Sequence, residues 1–140
     1  MGSGGGDRCG GGGAVKLVVS GTLTVNGTIS ANSSFTWAQS SGSGGSIWID
    51  CGALAGTSTI TANSYNTGSG YGSGGGRIAI YYHTPSTFSG LPAPGLYTNM
   101  ESVSSHVTVK GGYNVGSDGP EDGSIYIVHV VPQGTLIRFL

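Results

Sequence analysis

Gly45-Ser46-Ile47-Trp48-Ile49 and Gly76-Arg77-Ile78-Ala79-Ile80 decide how this chain is read. Each is an apolar alternation of period two opened by glycine, the pattern of a strand with one buried and one exposed face. Ile47 and Ile49 point one way and Trp48 the other, and Ile78 and Ile80 repeat that phase. The phrase returns as Gly123-Ser124-Ile125-Tyr126-Ile127 and, more loosely, as Gly13-Ala14-Val15-Lys16-Leu17. A second element follows each time. Thr28-Ile29-Ser30-Ala31-Asn32 matches Thr59-Ile60-Thr61-Ala62-Asn63, His106-Val107-Thr108-Val109-Lys110 is a third copy, and Gly134-Thr135-Leu136-Ile137 a truncated fourth. Internal repetition of this kind is the mark of stacked architectures. The unit is about 31 residues long: a Gly-rich run, an apolar strand, a turn, a Thr-rich strand and a Gly/Ser-rich return.

The whole chain, 1–140, is expected to be one Gly-rich repetitive β domain, with repeats at about 10–41, 42–73, 74–119 and a partial 120–140. The third repeat carries an insertion, 83–105, that holds Pro85, Pro92 and Pro94. Two architectures fit this all-β reading. In a parallel β-helix or solenoid each repeat is one coil, and Ile47, Ile78 and Ile125 stack into an interior ladder, because one coil cannot bury its own apolar face. In an antiparallel β-sandwich built of hairpins, Asn26-Gly27 is a type I′ turn. The near-constant period favours the solenoid. Within the first repeat the residues predict three short strands, with corners at Ser20-Gly21 and Asn26-Gly27, and Cys51-Gly52 supplies a similar corner in the second.

Composition narrows the function. Glycine fills 29 of 140 positions, Gly, Ser and Thr together fill 62, and only 8% of residues are charged. A helical bundle is excluded, because each helical Gly costs about 1 kcal/mol against Ala. Five scattered cations and a net charge of −1 do not build the basic face that nucleic acid needs. The longest apolar stretch, near Ile125 to Val131, is too short to insert in a membrane and contains His129. With 36% hydrophobic residues in clusters, disorder is a poor fit. Met1 to Cys9 has no apolar h-region, so no signal peptide is expected within this chain. Cys9 and Cys51 are too few for a disulfide framework; whether they pair stays open.

The residues resemble a repeat of large glycine-rich extracellular and surface proteins, mainly bacterial. Its pattern is a Gly/Ser run, S-I-x-I, G-x-x-x-I-(S/T)-A-N, then a Gly run leading into G-G-G-R-I. Gly42 to Ile49, Gly56 to Asn63 and Gly74 to Ile80 carry it; about 10–82 is covered, and Gly123 to Ile127 is the last echo. The resemblance implies a β-helical or Gly-rich β architecture outside the cell and transfers no catalytic residue.

Residues that carry chemistry are sparse. Asp118, Glu121 and Asp122 are weak candidates for a hard cation such as calcium, but they lack EF-hand spacing and the nonapeptide signature; a solvated turn is the better reading. His83, His106 and His129 have no Cys or Glu at ligand spacing. A polysaccharide-cleaving site would draw on Asp50, Glu101, Asp118, Glu121 and Asp122 with Arg77 and Lys110; Asp50 and Arg77 are read instead as a structural ion pair between neighbouring strands. No catalytic residue, metal or cofactor is expected. Trp48, Tyr81 and Tyr126 are the ligand-binding candidates, since exposed rings on a hydroxyl-rich sheet offer flat platforms to a sugar or another protein. The competing reading packs the rings under the Gly-rich returns, together with Trp37, Tyr71 and Tyr113. Thr22/Thr24, Thr28/Ser30, Thr57/Thr59/Thr61 and Thr108 suggest a hydroxyl ladder like that of ice-binding solenoids, though Thr also simply favours strands. The expectation is a non-catalytic structural or adhesive module of a surface or secreted protein, able to self-associate through open solenoid ends. A carbohydrate-binding or polysaccharide-cleaving β-helix is the alternative, and an ice-binding solenoid comes after it.

Overall fold

Side chains that alternate in polarity bury one face only if the backbone is extended, and the chain follows this rule. The computed structural model describes residues 1–4, 9–34, 41–65, 72–99, 104–112 and 119–131. Among them are nine strands and no helix: β1 (Ala14–Val25), β2 (Ile29–Ser30), β3 (Ser46–Gly56), β4 (Ile60–Thr61), β5 (Arg77–Tyr82), β6 (Thr87–Phe88), β7 (Gly95–Tyr97), β8 (Val107–Thr108) and β9 (Ser124–His129). The protein is all-β.

The strands form two sheets. In the larger, β1, β3, β5 and β9 lie side by side in parallel, β7 joins β9 antiparallel at the far edge, and β6 pairs with β3 beyond the end of β5. The smaller sheet, β2-β4-β8, is parallel throughout. The isoleucines fall in register. Ile47, Ile78 and Ile125 are cross-strand partners, as are Ile49, Ile80 and Ile127, and all six are at most 2% exposed. Ile60 and Val107 of the small sheet, with Ala62 and Val109 just beyond its strands, join them in one apolar cluster. Val15, Leu17 and Val19 continue the same columns onto β1, where they are only partly buried.

The hairpin alternative does not hold at its own signal. A type I′ turn needs positive φ at both central residues, and the positive-φ glycines among the described residues are Gly56 and Gly90. Asn26-Gly27 is a bend that carries the chain from β1 in one sheet to β2 in the other. The corner expected at Ser20-Gly21 is not a break either: β1 runs through it. Register passes from Val19↔Cys51 to Thr22↔Ala53, so Ser20 and Gly21 together oppose Gly52, which is a β-bulge. β3 likewise runs through Cys51-Gly52.

The insertion begins later than its prolines suggest. His83 to Ser89 still follow the preceding strand: Thr84 N–H donates to Gly52 O at 2.8 Å, Ser86 Oγ to Leu54 O at 2.8 Å, and Ser89 N–H to Gly56 O at 2.9 Å. Thr87 and Phe88 pair with Ala55 and Gly56 as β6. The extra residues therefore lie between Phe88 and Val107, and they supply β7.

Glycine has a defined task at the start of β3, β5 and β9. Gly45, Gly76 and Gly123 donate their N–H groups to Ala31 O, Ala62 O and Val109 O, at 2.8, 2.8 and 2.7 Å, which ties the two sheets together. The next residue's N–H bonds sideways: Ser46 to Gly13 O, Arg77 to Gly45 O and Ser124 to Gly76 O. A Cβ on Gly45 would collide with the carbonyl of Gly13, one on Gly76 with that of Gly45, and one on Gly123 with that of Gly76. Only glycine permits backbones to pass this closely.

Gly45→Ala is therefore expected to cost about 3 kcal/mol or more, at the upper end of overpacking effects. Gly27→Ala, which meets nothing within 4 Å, should stay within about 0.5 kcal/mol of the parent, as surface changes do. Urea denaturation of both variants checks the contrast, and equal losses would refute the glycine column.

Candidate functional site

Parallel pairing turns alternation along each strand into rows across the sheet. On the outer face of the large sheet one row reads Ala14, Ser46, Arg77, Ser124; the next reads Lys16, Trp48, Ala79, Tyr126; a third reads Val18, Asp50, Tyr81, Val128. Leu96 of β7 extends the middle row beyond Tyr126 and is exposed. The three aromatic candidates thus share one face, and their rings meet. Trp48 and Tyr81 are 5.7 Å apart between centroids and tilted by 49°, and Tyr81 meets Tyr126 edge-on at 6.1 Å. Both arrangements fall within the favourable range for aromatic pairs.

Ala79 is the small member of the middle row. Trp48 and Tyr126 stand on either side of it, on strands about 10 Å apart by two strand spacings. A depression of about 460 Å³ results, lined by both rings and Ala79 with Ala14, Ser46 and Ser124, and with Lys16 and Arg77 at its margin. That is within the usual size of small-molecule sites. Tyr81 does not line it; wedged between the other two rings, it fixes their orientation from behind. Lys16 braces the opposite side, with Nζ 4.7 Å from the Trp48 ring centroid, a cation–π contact. Neither Lys16 nor Ala79 stands out in the sequence taken one strand at a time. The signal that finds them is phase: both occupy the outward position of Trp48 and Tyr126 in their own segments.

The other chemistry-bearing residues are placed apart from this face or are tied up. Asp50 does not pair with Arg77. Its Oδ1 lies 3.0 Å from His83 Nε2, and both side chains are exposed enough that the contact contributes at most about 1 kcal/mol. Among the described residues Arg77 has no ion-pair partner. His129 stacks flat on Tyr82 at 4.8 Å, and His106 Nδ1 contacts Ser105 Oγ at 3.2 Å. Asp122 Oδ1 accepts the Gly111 N–H at 2.9 Å, and Glu121 is exposed beside it. Among the described residues no three His, Cys, Asp or Glu side chains gather as metal ligands. Asp118, Glu101, Trp37, Tyr71 and Tyr113 lie outside the described residues. Among the described residues the threonines form no continuous exposed ladder: Thr22 and Thr24 face Ala53 and Ala55, and Thr108, in register with Thr61, is buried. A threonine pair does span neighbouring segments, Thr28 Oγ1 to Thr59 Oγ1 at 3.2 Å.

Neither a family model, nor a curated protein, nor a solved structure matches this chain.

No disulfide joins Cys9 and Cys51. Cys51 faces inward, in phase with Ile47 and Ile49, and its Sγ lies 3.7 Å from the Tyr81 carbonyl. Burial first, and the Asp50 carboxylate second, push its thiol above the ordinary value, which suppresses nucleophilic character. With the folded value raised, the unfolded chain gives up this proton first as pH rises. The thiol's contribution to stability is therefore complete below the ordinary thiol range, about 8.5, and is lost as pH climbs above it. Urea midpoints measured against pH should show a smaller alkaline decline in Cys51→Ala than in the parent. Identical alkaline slopes would show that the buried thiol is not linked to folding.

Proposed function

We propose that the chain is a non-catalytic β-solenoid module of a secreted or surface protein, and that it is adhesive, holding carbohydrate on the outer face of its large sheet. The solenoid reading is supported by parallel pairing in both sheets at matching offsets: Ile47 with Ile78 and Ile60's sheet partner Ile29 both lie 31 residues away. Such a stack gains rigidity from neighbour contacts alone. It can present a surface without building a cleft. A hydroxyl-rich, weakly charged exterior suits the space outside the cell.

The single observation behind the adhesive reading is the aromatic wall. Trp48 and Tyr126, locked by Tyr81 and Lys16, flank a gap left by Ala79. Rings held in place lose little freedom on binding, which favours affinity. A pyranose offers them apolar C–H faces, while its hydroxyl rim meets Ser46 and Ser124. The cleaving alternative has less behind it: of the described carboxylates Asp50 lies on β3 and is engaged by His83, and Asp122, next to Glu121, accepts the Gly111 N–H.

Two measurements test the two halves. In affinity electrophoresis through gels with soluble polysaccharides, at least one polymer is expected to retard the chain, and Trp48→Ala should abolish the retardation. Mobility unaltered in every gel would leave a scaffold without the adhesive role. For the architecture, excision of 45–75 removes one period and joins Gly44 to Gly76. The shortened chain should keep a β circular-dichroism spectrum and a cooperative melt, because equivalent surfaces meet at the junction. Excision of 45–60, about half a period, should unfold it. Equal outcomes for the two deletions would refute the solenoid.

A further inference from the structure

The depression beside Trp48 and Tyr126 is bordered by two cations and, among the described residues, by no carboxylate. The whole chain has five Lys and Arg and a net charge of −1, so bulk charge does not explain two of them meeting there. Their situations differ. Lys16 is committed to the Trp48 ring. Arg77 is exposed and, among the described residues, unpaired; Asp50, two rows over, is already engaged by His83 at 3.0 Å. Arg77 stands two positions before Ala79 on β5, about 6.6 Å along the strand. On its other side a narrower polar crevice of about 170 Å³ runs over Gly44, Gly45, Gly75 and Gly76.

The geometry points to a polysaccharide that carries uronate groups, its ring against Trp48 and Tyr126 and its carboxylate on Arg77. This assignment rests on the carbohydrate reading above and narrows it to one class. Equatorial substituents of a pyranose leave in the plane of the ring. A ring held with its face against Trp48 and Tyr126 above Ala79 can therefore turn an equatorial carboxylate along the strand direction, toward the row that holds Arg77. A guanidinium is a planar fork that meets a carboxylate with two parallel hydrogen bonds. Ser46 and Ser124 flank Arg77 in the same row and face the ring's hydroxyls. A neutral glycan would use the rings and leave Arg77 idle. Charge is thus the property that separates this inference from the broader reading.

The test compares polygalacturonate with its fully methyl-esterified form, which keeps the rings and removes the charge, in affinity electrophoresis of the full chain. The acid form should bind about tenfold more tightly than the ester, the scale of one charge-assisted hydrogen-bonded pair. Arg77→Gln, a change on an exposed side chain whose folding is verified by circular dichroism, should bring the two affinities together. Trp48→Ala should weaken both. Equal binding of acid and ester by the parent, still lost in Trp48→Ala, overturns the uronate assignment and leaves the carbohydrate reading standing. A preference for the acid that survives Arg77→Gln also overturns it. Retardation by dextran sulfate equal to that by polygalacturonate, and indifferent to Trp48→Ala, would mean charge attraction alone and overturns it as well. No retardation by either galacturonate polymer overturns the uronate assignment, and only mobility unaltered by every polysaccharide overturns the carbohydrate reading with it.

Discussion

Gly76 passes the carbonyl of Gly45 so closely that a Cβ has no place between them, and Gly45 stands in the same relation to Gly13. This contact sets the spacing on which everything else depends. At that spacing the glycine N–H reaches the small sheet, through Ala31, Ala62 or Val109, while the following N–H reaches the neighbouring large strand. Two directions of hydrogen bonding are satisfied at one point, where a buried unpaired amide would be costly. The isoleucine columns come into register as a consequence. Hydrophobic burial supplies most of the driving force, but the glycines decide which residues are opposite which.

In-register parallel pairing also explains why a site can arise without a cleft. Each outward position becomes a row, and a row of unequal side chains is a landscape. Trp48 and Tyr126 with Ala79 between them make a wall and a gap. A one-residue slip would turn all of these side chains inward, so the inward isoleucines specify the outer face as firmly as they specify the core. The aromatic wall is, in this sense, held in place from the other side of the sheet.

Much of this was legible from alternation alone. Period two in Ile47 to Ile49 and its copies placed the strands, the buried columns and the outward phase of Trp48 and Tyr126. What was not legible depended on partners far along the chain. Prolines marked the segment from His83 as irregular, yet His83 to Ser89 are held by carbonyls of Cys51 to Gly56, a tertiary constraint that overrides local signals. Ser20-Gly21 looked like a corner because glycine takes positive φ at no steric cost, whereas pairing with β3 absorbs it as a bulge. Asn32 and Asn63 were visible as repeated letters without a role. Their Oδ1 atoms accept the backbone N–H of Asn63 and Lys110, both at 2.7 Å, a ladder that exists only once the segments are stacked. Arg77 looked like the partner of Asp50 because both flank Ile-x-Ile strands. Register puts it beside Ser46 instead, and so leaves its guanidinium for the depression.

The two edges of the large sheet are managed differently, and the difference bears on where the outer face ends. Beyond β9, Gly95 to Tyr97 return antiparallel and occupy the backbone groups of Ile125 to Ile127; the extra residues after Phe88 thus supply an edge cover. β1 has no strand on its other side among the described residues, and Val15, Leu17 and Val19 are only partly buried there. A long, apolar, unpaired edge invites strand addition. Two features of β1 act against it: the bulge at Ser20-Gly21 interrupts a straight ladder, and Lys16 places a charge in the edge strand. The same lysine rests on Trp48. One side chain thus helps keep the edge from pairing and holds the aromatic wall upright, so removing its charge would loosen both the edge and the face it borders.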